Sequence, residues 1–115
     1  MPSAAPVPQR NAAIAIDYEH LRYMTLGDRN LAQEVLGLFD RQAELLVARM
    51  RAADAASLAA LAHALKGSAR GIGAWHVATA AESVERGGAD YGVALDWLAQ
   101  AVAAARAEIA GLLAS

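Results

Sequence analysis

The 115-residue chain has no cysteine, three prolines and few aromatic residues, two Trp, three Tyr and one Phe. The missing cysteines exclude a disulfide-stapled secreted domain. β-Sandwiches and barrels are built from β-branched and aromatic side chains. With only seven valines and four isoleucines, a sheet fold has too little of either. Basic residues are also short: ten Lys and Arg against twelve Asp and Glu, for a formal charge of −2. The arginines are dispersed, so the basic patch of a nucleic-acid binder is lacking. No apolar run approaches the ~20 residues that span a bilayer, so no membrane partner is expected. The opening MPSAAPVPQRNAA has no basic start followed by an apolar stretch, which argues against a secretory signal. The cytoplasm is the expected compartment.

What the chain does have is alanine and leucine. Hydrophobic residues make up 57% of it, with 31 alanines and 14 leucines. These two lead the helix-propensity ranking. The expectation is one all-α domain, without internal repeats. Residues 1–13, rich in Ala, Pro and Asn, read as a flexible tail, and residues 14–115 as the helical domain.

Caps and periodicity divide that domain. Asp17 caps a short helix over 18–24, and Gly27 interrupts the chain. Asp28 caps a helix from 29 to about 52, ~35 Å long. Its three/four apolar row is Leu31, Val35, Leu38, Phe39, Leu45, Leu46 and Met50. Asp54 starts a third long segment, with Leu58, Leu61, Ala62, Leu65, Ala69 and Ile72 on one face and Gly71 and Gly73 at its end. A fourth runs from 74 to 86, with Val77, Ala81 and Val84 inward. Gly87-Gly88 stops it. The last begins near Asp90 or Tyr91 and repeats Leu95, Leu98, Val102, Ala105, Ile109 and Leu112 as a bundle seam does. The pattern predicts an antiparallel up-down-up-down four-helix bundle with a short additional N-terminal helix.

One histidine stands off the core pattern. On a wheel of ~100° per residue, His63 lies ~140° from the apolar direction of its helix and faces solvent. Ala59, Ala60, Gly67 and Arg70 share its side, and Lys66 flanks it. A helix-interior glycine costs about 1 kcal/mol against alanine, and Gly67 one turn on leaves the imidazole uncovered. Unperturbed imidazole, with a pKa of about 6.5, is largely neutral at pH 7 and presents a nucleophilic nitrogen. That group can take up a phosphoryl group, with Lys66 and Arg70 offsetting its charge. The glycine-rich stretch GSARGIG lacks the Walker pattern and follows no strand. The chain can therefore carry a phosphoryl group, but has no ATP site with which to act as a kinase.

The run His63-Ala-Leu-Lys66-Gly67-Ser-Ala-Arg70-Gly-Ile-Gly73-Ala74 closely resembles the signature of histidine-containing phosphotransfer (HPt) domains. That signature reads H-x-hydrophobic-K-G-[S/A]-[A/S]-x-x-hydrophobic-G. Downstream, Val84-Glu85 stands where the family often has a hydrophobic-Glu pair, and the resemblance covers about residues 16–113. It implies a phosphoacceptor at His63, phosphate placement by Lys66 and steric access at Gly67. It also implies relay between receiver-domain aspartates of hybrid histidine kinases and response regulators. With no nucleotide-binding module in the sequence, a free-standing relay protein is expected, as a monomer. The chain itself would bind no cofactor or metal; Mg²⁺ and the acidic pocket would belong to the partner receiver. Arg70 as a phosphate helper is an inference from its place on the wheel.

Other readings stay open. Lys66 is also explicable as an ordinary surface lysine, and Gly73 reads better as a capping residue. His20 and His76 read as solvated, and Trp75 and Trp97 as half-buried. In the short first helix, Leu21, Tyr23 and Met24 either close the bundle end or dock the receiver. As a whole, the chain could be a helical interaction module that binds receiver or kinase domains without carrying phosphate. A bundle with a ligand in its core ranks last, because the inward rows hold almost no polar residues.

Overall fold

The computed structural model describes residues 15–87 and 91–114. The tail expected over 1–13, the second glycine of the 87–88 stop and Asp90 as a helix start lie outside these residues. The described residues form five helices: α1 (Tyr18–Met24), α2 (Arg29–Arg51), α3 (Ala55–Ile72), α4 (Trp75–Arg86) and α5 (Tyr91–Ala114). No strand occurs among them.

Three aspartates start three helices. The carboxylate of Asp17 accepts from the His20 amide, that of Asp28 from Leu31 and that of Asp54 from Ser57. Each such cap is worth about 1 kcal/mol. Helix α3 ends at Gly73, whose φ of 79° is left-handed. The Ala74 amide then donates back to the Ala69 carbonyl at 2.8 Å, closing the helix end. Helix α4 follows at once and has no side-chain cap on its N-terminal residue, Ala74.

The packing closes a ring. Helix α2 lies on α3, α3 on α4, α4 on α5 and α5 back on α2, while α1 rests on α3. Leu65, Leu98, Ile109, Val77, Val84 and Met50 are fully buried between them. Burying side chains of this size stabilises by roughly 1.5–3 kcal/mol each. Alanines at Ala62, Ala69, Ala80, Ala81 and Ala105 are also fully buried, which lets the backbones approach.

Two expectations need correction. The inward row of α2 is Leu36, Phe39, Ala43, Val47 and Met50, whereas Leu31, Leu38 and Leu45 are exposed. This helix is apolar over more than half its circumference, so spacing found Phe39 and Met50, with Val35 and Leu46 at the core's margin, but set the predicted row too wide. Secondly, α5 is long and apolar enough, by length and composition, to cross a membrane. Its alanines raise its hydropathy although no single run of large apolar residues exists. In the fold its Leu95, Leu98, Val102, Ala105 and Ile109 form part of the core.

Candidate functional site

Helix α3 presents two unlike sides. Leu58, Ala62, Leu65, Ala69 and Ile72 are buried, which turns His63 outward with 69% of its side chain exposed. A Cβ added to Gly67 would meet nothing within 4 Å. No packing contact among the described residues therefore requires a glycine there. Ala60 is exposed and Ala59 half-buried. Ala59 also lines a recess of about 410 Å³ with Leu58, Val84, Glu85 and Tyr91.

Helix α4 completes the site. Glu85 Oε2 lies 2.7 Å from His63 Nδ1, and Glu85 Oε1 lies 2.7 Å from Lys66 Nζ. One carboxylate thus joins imidazole and ammonium across the α3–α4 seam. The Lys66 ammonium, ahead of the His63 contact, holds the Glu85 carboxyl below its ordinary pKa, against partial desolvation. An ionised carboxylate only accepts hydrogen bonds, so Nδ1 carries the proton and donates it. In the neutral ring the lone pair is then on Nε2, which has no hydrogen-bond partner among the described residues.

The flanking cations are also engaged. Arg70 Nη2 lies 3.8 Å from Glu82 Oε1, and Arg86 Nη2 lies 2.8 Å from Glu82 Oε2. The structure therefore brings His63, Lys66 and Gly67 together as expected, and places Arg70 nearby but facing Glu82. Lys66 is not an open surface lysine, since its side chain is only 15% exposed. It is also the chain's single lysine, against nine arginines.

On the other flank of α3, an apolar groove of about 290 Å³ is lined by Met24, Leu31, Val35, Leu38, Ser68 and Gly71, among others. Of the docking candidates in α1, Tyr23 (77%) and Met24 (48%) are exposed, but Leu21 is buried and belongs to the core. The apolar spacing of α2 assigns Leu31 and Leu38 to the core and so conceals them as surface residues.

Around α1 a latch holds the end of α3. His20 Nε2 lies 2.9 Å from the Arg70 carbonyl oxygen, to which it donates. The His20 ring packs on Trp75 with centroids 4.8 Å apart, and the Trp75 indole N–H donates to Asp17. The expectation of a solvated His20 is thereby corrected, while His76 is exposed. Gly73 is required here: a Cβ would lie 2.8 Å from the Asp17 carbonyl oxygen. Trp75 and Trp97 are each a little under half exposed.

Among the described residues, no three His, Asp or Glu side chains gather as a metal site. The family model described as Hpt domain matches residues 29–110. No curated protein and no solved structure matches the chain.

Proposed function

Because the chain belongs to the Hpt domain family and so takes part in phosphorelay signalling, we propose that His63 carries a phosphoryl group between receiver-domain aspartates. The observation that carries this reading is the Glu85 contact. It fixes the Nδ1–H tautomer and leaves an exposed Nε2 lone pair. In the step, Nε2 attacks the phosphorus of a receiver acyl phosphate. The N–P bond forms, the P–O bond breaks, and the receiver carboxylate leaves with the electron pair. No proton need move, because Nδ1 keeps its own. Onward transfer is the reverse step to a second receiver. Mg²⁺ and the acidic pocket come from the receiver.

Gly67 admits the receiver, and Lys66 serves as the nearest cation to the incoming oxygens. The groove on the other flank of α3, with Met24, Leu31 and Leu38, serves as the apolar part of the docking surface, joined by Tyr23. Interface centres favour such aromatic and Met contacts. We read the ring of helix contacts as an antiparallel four-helix bundle with α1 as an added N-terminal helix. We place the protein in the cytoplasm, where receivers act.

The test is incubation with a phosphorylated receiver, followed by acid and base treatment of the labelled chain. The expected label is acid-labile, base-stable and absent in His63→Gln, with far-UV circular dichroism unchanged. Unchanged label in that variant overturns the assignment. A receiver bound equally well by the variant, with no transfer in the parent, establishes a pure interaction module instead.

A further inference from the structure

Every basic side chain around His63 already has a carboxylate. Lys66 is held by Glu85 at 2.7 Å, Arg70 by Glu82 at 3.8 Å, and Arg86 by Glu82 at 2.8 Å. Glu82 and Glu85 are three residues apart on α4, so they share the helix face that looks onto α3. Two carboxylates thus offset part of the charge of these three cations before any phosphoryl group arrives.

A phosphoryl group adds roughly two negative charges and three acceptor oxygens. To be stabilised on Nε2 it must draw Lys66 and Arg70 away from these carboxylates, and it must sit near Glu85, which remains on the far ring nitrogen. Like charges at such separations repel, weakly in water and more strongly where solvent is partly excluded.

We propose that Glu82 and Glu85 are positioning residues that set the phosphoryl equilibrium at His63, by holding its cations in reserve. This rests on the phosphocarrier reading above. Glu85 exerts two opposed effects. Its acceptor bond to Nδ1–H supports the reactive tautomer and the phosphorylated ring, while its charge disfavours the phosphoryl group. The result is a phosphohistidine that is formed readily and held loosely, which suits a relay that must release what it accepts. Glu82 has no contact with the imidazole and acts only through Arg70 and Arg86.

Glutamine separates the two effects, since its amide oxygen still accepts from Nδ1–H but the charge is gone. The measurement is the equilibrium ratio of label on the chain to label on a receiver that exchanges with it. Glu85→Gln shifts this ratio toward the chain by about two- to fivefold, the range of an exposed ion pair. Glu82→Gln shifts it the same way by less, and both shifts shrink in about 1 M salt, where the Debye length is ~3 Å. Lost packing alone would change stability or rate without this ordered, salt-sensitive shift in equilibrium. In parallel, the lone ¹⁵Nζ signal of the single lysine moves on phosphorylation of the parent. An unchanged ratio in Glu85→Gln, or a shift toward the receiver, overturns the proposal. Phosphoramidate, a small-molecule donor, loads the histidine without a receiver. If the parent takes label from phosphoramidate but from no receiver, the phosphocarrier reading fails by itself. The charge proposal then stands or falls on whether Glu85→Gln lengthens the half-life of the phosphohistidine.

Discussion

Two seams of the fold are tied by ionic clusters of opposite stoichiometry. Between α2 and α5, one cation serves two acids: Arg106 Nε lies 2.8 Å from Asp40 and its Nη1 lies 3.1 Å from Glu44. Between α3 and α4, one acid serves two nitrogen groups, His63 and Lys66. The first cluster has surplus negative charge and no vacancy for an anion. Asp40, the nearer acid, is the chief reason the Arg106 guanidinium is held even more firmly charged than usual. The second has a donor to spare and an open ring nitrogen. A shared cation makes a clamp, whereas a shared carboxylate beside an exposed imidazole leaves one ring nitrogen open, as the proposed phosphoryl landing requires.

The largest effect that would break this contrast is steric. Gly67→Leu should reduce phosphoryl uptake at least ~100-fold, because a side chain there covers the one free nitrogen. A Cβ at this position meets nothing within 4 Å, and helicity should hold or rise, by up to about 1 kcal/mol of propensity. Parental transfer rates in this variant would show that access is controlled elsewhere.

Next in size is the groove. Leu38→Glu should weaken receiver binding roughly tenfold, as loss of an apolar interface contact does. Stability should change little, since Leu38 is 47% exposed. Titration calorimetry with a receiver reads the first, and urea unfolding the second. Equal affinity in the variant would place docking on another face.

The clamp should behave differently from the site. Arg106→Met leaves Asp40 and Glu44 side by side without their cation. Unfolding free energy should fall by about 0.5–1 kcal/mol, with phosphoryl uptake unchanged. A variant that lost uptake but kept its stability would erase the distinction between the seams.

The smallest effect concerns the latch at α1. The Trp75 indole N–H, followed by the His20 amide, holds the Asp17 carboxyl below its ordinary value of 3.8. A depressed carboxyl contributes stability above the unfolded pKa, and this is lost as pH falls through the folded one. Trp75 emission, read in a Trp97→Phe background, should therefore change in a step below pH 3.8. Asp17→Asn should lack that step. A step of equal size in both would assign it to another carboxyl.

Much of this was legible in the sequence, and for identifiable reasons. Caps at Asp17, Asp28 and Asp54 are local, so the helix starts could be read directly. The outward turn of His63 followed from the narrow apolar stripe of α3. The same procedure misread α2, where Leu31, Leu38 and Leu45 form a second apolar row nearly opposite the buried one. Periodicity detects such rows but does not say which one the rest of the protein covers. Glu85 was visible only as a family-like residue after Val84. Its bond to a histidine 22 positions earlier depends on the register of two helices, which no local pattern states. The bond from His20 to the Arg70 carbonyl spans 50 positions and left no trace either.

The single lysine has a practical consequence. Arginine supplies every other basic side chain in the protein. Among the side chains of these 115 residues, reagents selective for primary amines therefore have one place to react, the partner of Glu85 one turn from the imidazole. A crosslinker or acylating probe becomes a footprint of the docked state. Its reaction at Lys66 should be slow in the resting protein, where the ammonium is paired, and should change again when a receiver covers the face.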